Sequence, residues 1–156
     1  MVIQRWQSVL LLLACVMMAC FSFLSLGQVQ APDFTYNFTA MGFFPEGEPS
    51  PGASAGVEVH TWIFFIVSIV SALLALIDIF LFRDLRKQRR VALFTMLMIL
   101  ATAIIGVYYG YATELGGQIS WSSVIIMVPI ALVAVICAYR LIGADRKKIE
   151  SSTSLR

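Results

Sequence analysis

Charge is what this chain has least of. Of its 156 residues only 13% are charged, whereas 60% are hydrophobic, and the mean hydropathy is +0.87. Soluble domains carry roughly twice that share of charge, so water is excluded as the solvent for most of the chain and lipid is implied. The formal net charge of +2 is too small to imply a nucleic-acid partner. Histidine occurs once, at His60, and a single histidine beside Glu58 is a poor metal site, since zinc takes three or four protein ligands. The three cysteines, Cys15, Cys20 and Cys137, form neither a redox pair nor a haem-attachment motif. Glycine-rich phosphate loops are missing, and local spacing brings no Ser, His and Asp together. No cofactor is expected, and a catalytic reading has no positive support.

What the chain does have is four long apolar windows, at about 6–26, 62–82, 91–111 and 121–142. A bilayer core of about 30 Å needs roughly 20 helical residues, and each window meets that length. Lipid offers no hydrogen-bond partners, so such segments must be helices that satisfy their own backbone. The fold class expected is therefore an all-α membrane protein, a bundle of four transmembrane helices forming one domain over 1–156. Between the helices lie an outer loop at 27–61, an inner loop at 83–90 and a second outer loop at 112–120, with a tail at 143–156.

The eleven basic residues fall on one side of this layout. Arg5 precedes the first window, Arg83 to Arg90 supply five between the second and third, and Arg140, Arg146, Lys147, Lys148 and Arg156 close the chain. Loops 27–61 and 112–120 hold no Lys or Arg but do hold Asp33, Glu46, Glu48, Glu58 and Glu114. Cationic segments resist translocation, which predicts both termini and the loop at 83–90 in the cytoplasm. Trp6, Trp62 and Trp121 each open a window, at the headgroup level that amphipathic rings prefer. The first window also imitates an export signal, with Leu12-Leu13-Ala14-Cys15 resembling a lipoprotein cleavage site. Its apolar run continues to Leu24, longer than a cleaved signal has, so retention as a helix is expected.

In the first outer loop, Phe34-Thr35-Tyr36-Asn37-Phe38 and Val57-Glu58-Val59-His60 alternate apolar with polar. The pattern predicts a short β-hairpin pairing about 34–38 with 56–60, with the intervening prolines and glycines as turns. The loop at 83–90 is too short for structure of its own. The helix after Tyr139 is expected to run on to about Glu150.

Few side chains within the windows offer chemistry. Asp78 is the one acid well inside a span, and intramembrane carboxylates are functional candidates. It lies five residues before Arg83, near the inner headgroups, where Tyr139 or Arg140 of the fourth window could meet it. Thr102, Gly106 and Gly110 recur every four residues and form a small-residue stripe on which a second helix backbone can approach closely. Packing within the bundle is the primary reading of that stripe, and a docking face for another membrane protein is the other. Pro129 removes a backbone donor inside the fourth window and predicts a kink.

The two ends carry a resemblance. Met1-Val2-Ile3-Gln4-Arg5-Trp6-Gln7-Ser8, followed by the run from Leu10 to Ala14, resembles the opening of the domain of unknown function 4293 family, small four-helix membrane proteins of Bacteroidota-type bacteria. Ile142, Asp145, Ile149, Ser151, Leu155 and Arg156 are similar to that family's close, whereas Arg146 and Ser154 depart from it. The resemblance implies an inner-membrane location and supplies no activity and no site residues. Two functions follow from the residues themselves. One is a structural or accessory subunit packing against another inner-membrane protein or against itself, with the lipid bilayer as its surround. The alternative is a small transporter or ion-conducting oligomer that uses Asp78.

Overall fold

The computed structural model describes residues 2–31, 35–47, 59–112 and 118–153. Four helices dominate: α1 (Val2–Phe23), α2 (Trp62–Phe80), α3 (Leu85–Ala112) and α4 (Met127–Thr153). All four are long and apolar enough to cross a membrane. They stand in a ring, α1 against α2 and α4, and α3 against α2 and α4. Successive helices therefore run antiparallel, which puts the start of α1 and the end of α4 at the same end of the bundle as the α2–α3 connection.

The packing follows from residue size. On α3 the buried positions are Gln88, Ala92, Thr95, Ile99, Thr102 and Gly106, spaced alternately four and three apart. That is the seam of helices packed at a shallow angle. The seam of α2 is Phe64, Ser68, Ser71, Ala72, Ala75 and Asp78. Both seams are made mostly of small or polar side chains, while Ile63, Ile66, Leu73, Leu97, Leu100 and Ile104 face outwards. A protein surrounded by water places such residues the other way round. In lipid nothing drives large apolar groups inwards, so close van der Waals contact and interhelical hydrogen bonds select small residues for the interior. One such bond joins Ser22 of α1 to Ser68 of α2, with 2.8 Å between the hydroxyls.

Across the end of the bundle opposite the chain ends lies an antiparallel sheet of β1 (Gly27–Gln30), β2 (Thr35–Thr39), β3 (Gly42–Glu46), β4 (Val59–His60) and β5 (Gln118–Trp121), in the order β4-β3-β2-β1-β5. The expected hairpin exists, but its partner differs. Residues 35–39 pair with 42–46 through the two-residue connection Ala40-Met41, and Val59 and His60 add to the far side of β3 opposite Phe43 and Gly42. A two-residue connection brings β2 and β3 together at little entropic cost, whereas the expected pairing closes a much longer loop. Pro45 is tolerated because β4 covers only Gly42 and Phe43, leaving that part of β3 as an edge among the described residues. Phe34 and residues 56–58 of the expected hairpin, and 113–117 of the expected loop at 112–120, lie outside the described residues.

β5 comes from the other outer loop and closes on β1 in register, Gly27 opposite Trp121 and Val29 opposite Ile119. A Cβ at Gly27 would stand 2.6 Å from the Ser120 carbonyl oxygen, so glycine permits this pairing. Trp121 meets Phe38 edge-on, at 6.2 Å between ring centroids. Phe38 stacks on Phe43 at 4.3 Å and lies 6.1 Å from Phe64, which in turn meets Phe21. These four buried rings seat the sheet on the helices. Thr61, just before α2, fixes the β2–β3 turn by donating from its amide to Met41 O and from its hydroxyl to Ala40 O, both at 2.9 Å.

At the other end, a 3₁₀ turn (Leu81–Arg83) and Asp84 are all that separate α2 from α3. The basic run expected as a loop is therefore the opening of α3. Asp84 caps it: its main-chain oxygen accepts from Gln88 N–H at 2.9 Å and its carboxylate from Lys87 N–H at 3.3 Å. Pro129 lies in the first turn of α4, directly after a second 3₁₀ turn (Ser123–Ile126). It marks the change of helix type there rather than a mid-helix kink, because first-turn N–H groups have no intrahelical partner to lose.

Candidate functional site

Asp78 sits two residues before the end of α2, on the buried stripe, with no exposed surface. Its neighbour across the α2–α3 contact is Gln88, itself 1% exposed. The Gln88 amide donates to the Asp78 main-chain oxygen at 3.3 Å. Among the described residues, neither carboxylate oxygen of Asp78 has a hydrogen-bond partner, and neither does Gln88 Oε1. Three buried acceptor oxygens on adjoining residues are costly when left unpaired. Oxygens of this kind are the ordinary ligands of a proton or a hard cation.

The other residues expected around Asp78 are placed differently. Tyr139 lies beneath Arg89, whose guanidinium carbon is 4.8 Å from the ring centroid, and Arg140 is exposed. The reason is the ring order. α2 and α4 stand diagonally, so the carboxyl of α2 faces α3 while Tyr139 of α4 is taken by an arginine of α3. Gln88 was missed because it hides among arginines. The available signal was an uncharged polar residue at the position that continues the inward stripe Ala92, Thr95, Ile99.

A second polar contact at this end ties α1 to α4, Gln7 Nε2 donating to Asp145 Oδ2 at 2.6 Å. Gln7 is 1% exposed, and its place on the inward face of α1 gives it the same role there that Gln88 has on α3.

The small-residue stripe on α3 packs internally, but against rings rather than a helix backbone. A Cβ at Gly106 would stand 2.9 Å from Phe64 Cζ, and one at Gly110 would run into the Trp121 ring. Thr102 is buried and turns its hydroxyl back to Met98 O at 2.9 Å. Where these rings and helices leave space, a largely apolar cavity of about 600 Å³ lies beneath the sheet. Phe38, Phe64, Gly106, Val107, Trp121 and Pro129 are among its walls. Val107 and Ile126 at its rim are exposed.

His60 packs near the rings of Phe44 and Trp62, at 6.0 and 5.9 Å. No group of three or more His, Cys, Asp or Glu among the described residues is placed to hold a metal ion. No curated protein matches the chain. Residues 3–153, nearly the whole chain, match the family described as Domain of unknown function (DUF4293), and the protein belongs to that family.

Proposed function

We propose that this is a multi-pass protein of the bacterial inner membrane, both termini cytoplasmic, serving as a structural or accessory subunit that packs against other membrane proteins. The observation that carries this reading is the division of labour within the bundle. Small and polar residues are committed to contacts between its own helices, as in Ser22–Ser68 and Gln7–Asp145. Only 28–33% of each apolar span is buried, so most of the exterior is left for lipid or for another apolar protein surface. The sheet joins strands from the loops at 27–61 and 112–120, an arrangement suited to presenting a surface to a partner. Extraction of native membranes in mild detergent, followed by crosslinking of the tagged chain, tests the reading. A discrete higher-mass complex is expected, and recovery of the free monomer alone would remove the basis for it.

A second reading is favoured by one specific feature, the buried unpaired oxygens of Asp78 and Gln88. A carboxyl in that state suits a proton or cation relay. Vesicles reconstituted with the full chain should then pass protons or sodium faster than empty vesicles, and Asp78→Asn should return the flux to background. Equal leak in loaded and empty vesicles ends this reading.

A further inference from the structure

Arg89 and Arg90 follow Arg86 by three and four residues, so all three lie on one side of the opening turns of α3. That face meets α4 at Tyr139. With Leu93 these four residues line a recess of about 430 Å³ between the two helices. Arg89 is held against the Tyr139 ring at 4.8 Å, a cation–π contact that fixes one wall. Arg86 and Arg90 are exposed at the rim.

Among the described residues no carboxylate lines the recess. The acid nearest in sequence, Asp84, is engaged by Lys87, with 3.3 Å between Nζ and Oδ2. Three like charges on one helix face repel one another unless an anion lies between them. The guanidinium fork matches a phosphate in particular, with two parallel N–H···O bonds per arginine. Directly along the same face come Leu93 and Leu97, 44% and 53% exposed. A cationic recess therefore passes straight into the apolar surface of a helix long and apolar enough to cross a membrane. A small soluble anion would use only the first of these features. A molecule with an anionic head and a hydrocarbon tail would use both.

We propose that this recess binds a membrane phospholipid of net negative headgroup, its phosphodiester gripped by Arg86, Arg89 and Arg90 and its acyl chain lying along Leu93 and Leu97. Tyr139 is the positioning residue, since it orients Arg89 without carrying charge. The site is independent of the accessory role proposed above, because it needs no protein partner.

The test is native mass spectrometry of the full chain in mild detergent, titrated separately with phosphatidylglycerol, with phosphatidylcholine of the same chains and with inorganic phosphate. Phosphatidylglycerol should be retained in preference to the zwitterionic lipid. Each arginine near a membrane surface is worth roughly fivefold in binding, so Arg86→Gln, Arg89→Gln and Arg90→Gln together should weaken retention on the order of 100-fold. Replacing the same three by lysine keeps the charge, and with it the orientation in the membrane, yet removes the fork and should still weaken retention. Tyr139→Leu should do so with every charge in place. Lys87→Gln removes one charge outside the recess and should leave retention as it was. Equal binding of both lipids, unchanged retention in the lysine variant, or an equal loss in Lys87→Gln would each overturn the site in favour of diffuse attraction. Displacement of the lipid by inorganic phosphate at matching concentration would overturn the lipid assignment in favour of a soluble phosphate.

Discussion

Gly106 and Gly110 share a stripe on α3 but have different kinds of neighbour. At Gly110 an added methyl runs into Trp121, which is 37% exposed and can swing towards the rim of the cavity. At Gly106 it meets Phe64 at 2.9 Å, a ring with no exposed surface and packed on Phe21 and Phe38. Freedom to move, rather than the closer approach, decides which change costs more. Gly106→Ala is expected to destabilise by roughly 1–3 kcal/mol, the usual cost of overpacking, and Gly110→Ala by less, measured as thermal unfolding in detergent. The reverse order would mean that Phe64 can shift and that Trp121 cannot. Asp78 makes the opposite prediction. Its unpaired buried oxygens cost about 1–3 kcal/mol against an apolar group of similar size. Asp78→Leu should therefore raise the unfolding temperature, provided that Gln88 keeps its bond to the main-chain oxygen. A fall would show that the carboxyl is paired in the membrane, by a bound cation or by water.

Among elements, what could be read from the sequence depends on how far each structure reaches along the chain. The helices were legible because a run of about 20 apolar residues is a local fact, and the expected windows overlap all four. Their ends were less so. α3 begins at Leu85 because Asp84 caps it, and a cap four residues before Gln88 competes with the reading of an arginine run as loop. The sheet was legible in its alternating strands β2 and β4, though not in which strand each would pair with. β1 is four residues long and β5 belongs to a different loop, so their pairing joins Gln28 to Ser120 across two helices' worth of chain. No local pattern encodes such a partner. The polar site was half legible: Asp78 stood out as a charge within a span, but its partner depended on helix order around the ring, which composition does not reveal. The cap itself gives a pH test. The Lys87 backbone N–H, aided by its side chain, holds the Asp84 carboxyl below the ordinary aspartate range. Because the folded value lies under the unfolded one, the cap contributes fully above about pH 4 and is lost as pH falls through the lowered value. The amides of the first turn of α3 should thus lose hydrogen-exchange protection relative to the rest of α3 at low pH. Asp84→Asn, which caps without titrating, should abolish that difference.

At the scale of the whole molecule, two ends of one bundle carry opposite chemistry. The sheet end is built from loops without a single Lys or Arg, while the end holding both chain termini gathers the basic residues. An even number of spans makes this arrangement self-consistent, since a flip would have to carry every cationic segment across together. The energetic preference is cumulative, about one increment per Lys or Arg near a span, so no single substitution should invert it. Cysteine accessibility can measure it directly. With Cys15, Cys20 and Cys137 replaced by alanine, a cysteine at Gln28 or Gln118, both exposed strand positions, should react with an impermeant maleimide added to intact cells from which the outer barrier has been stripped. A cysteine at Lys87, exposed at the opposite end, should react only after the membrane is opened. Labelling at Lys87 from outside would place the arginine face of α3 away from the cytoplasm. The phospholipid recess would then have to draw on the outer leaflet, so the same experiment fixes which leaflet supplies its anionic lipid.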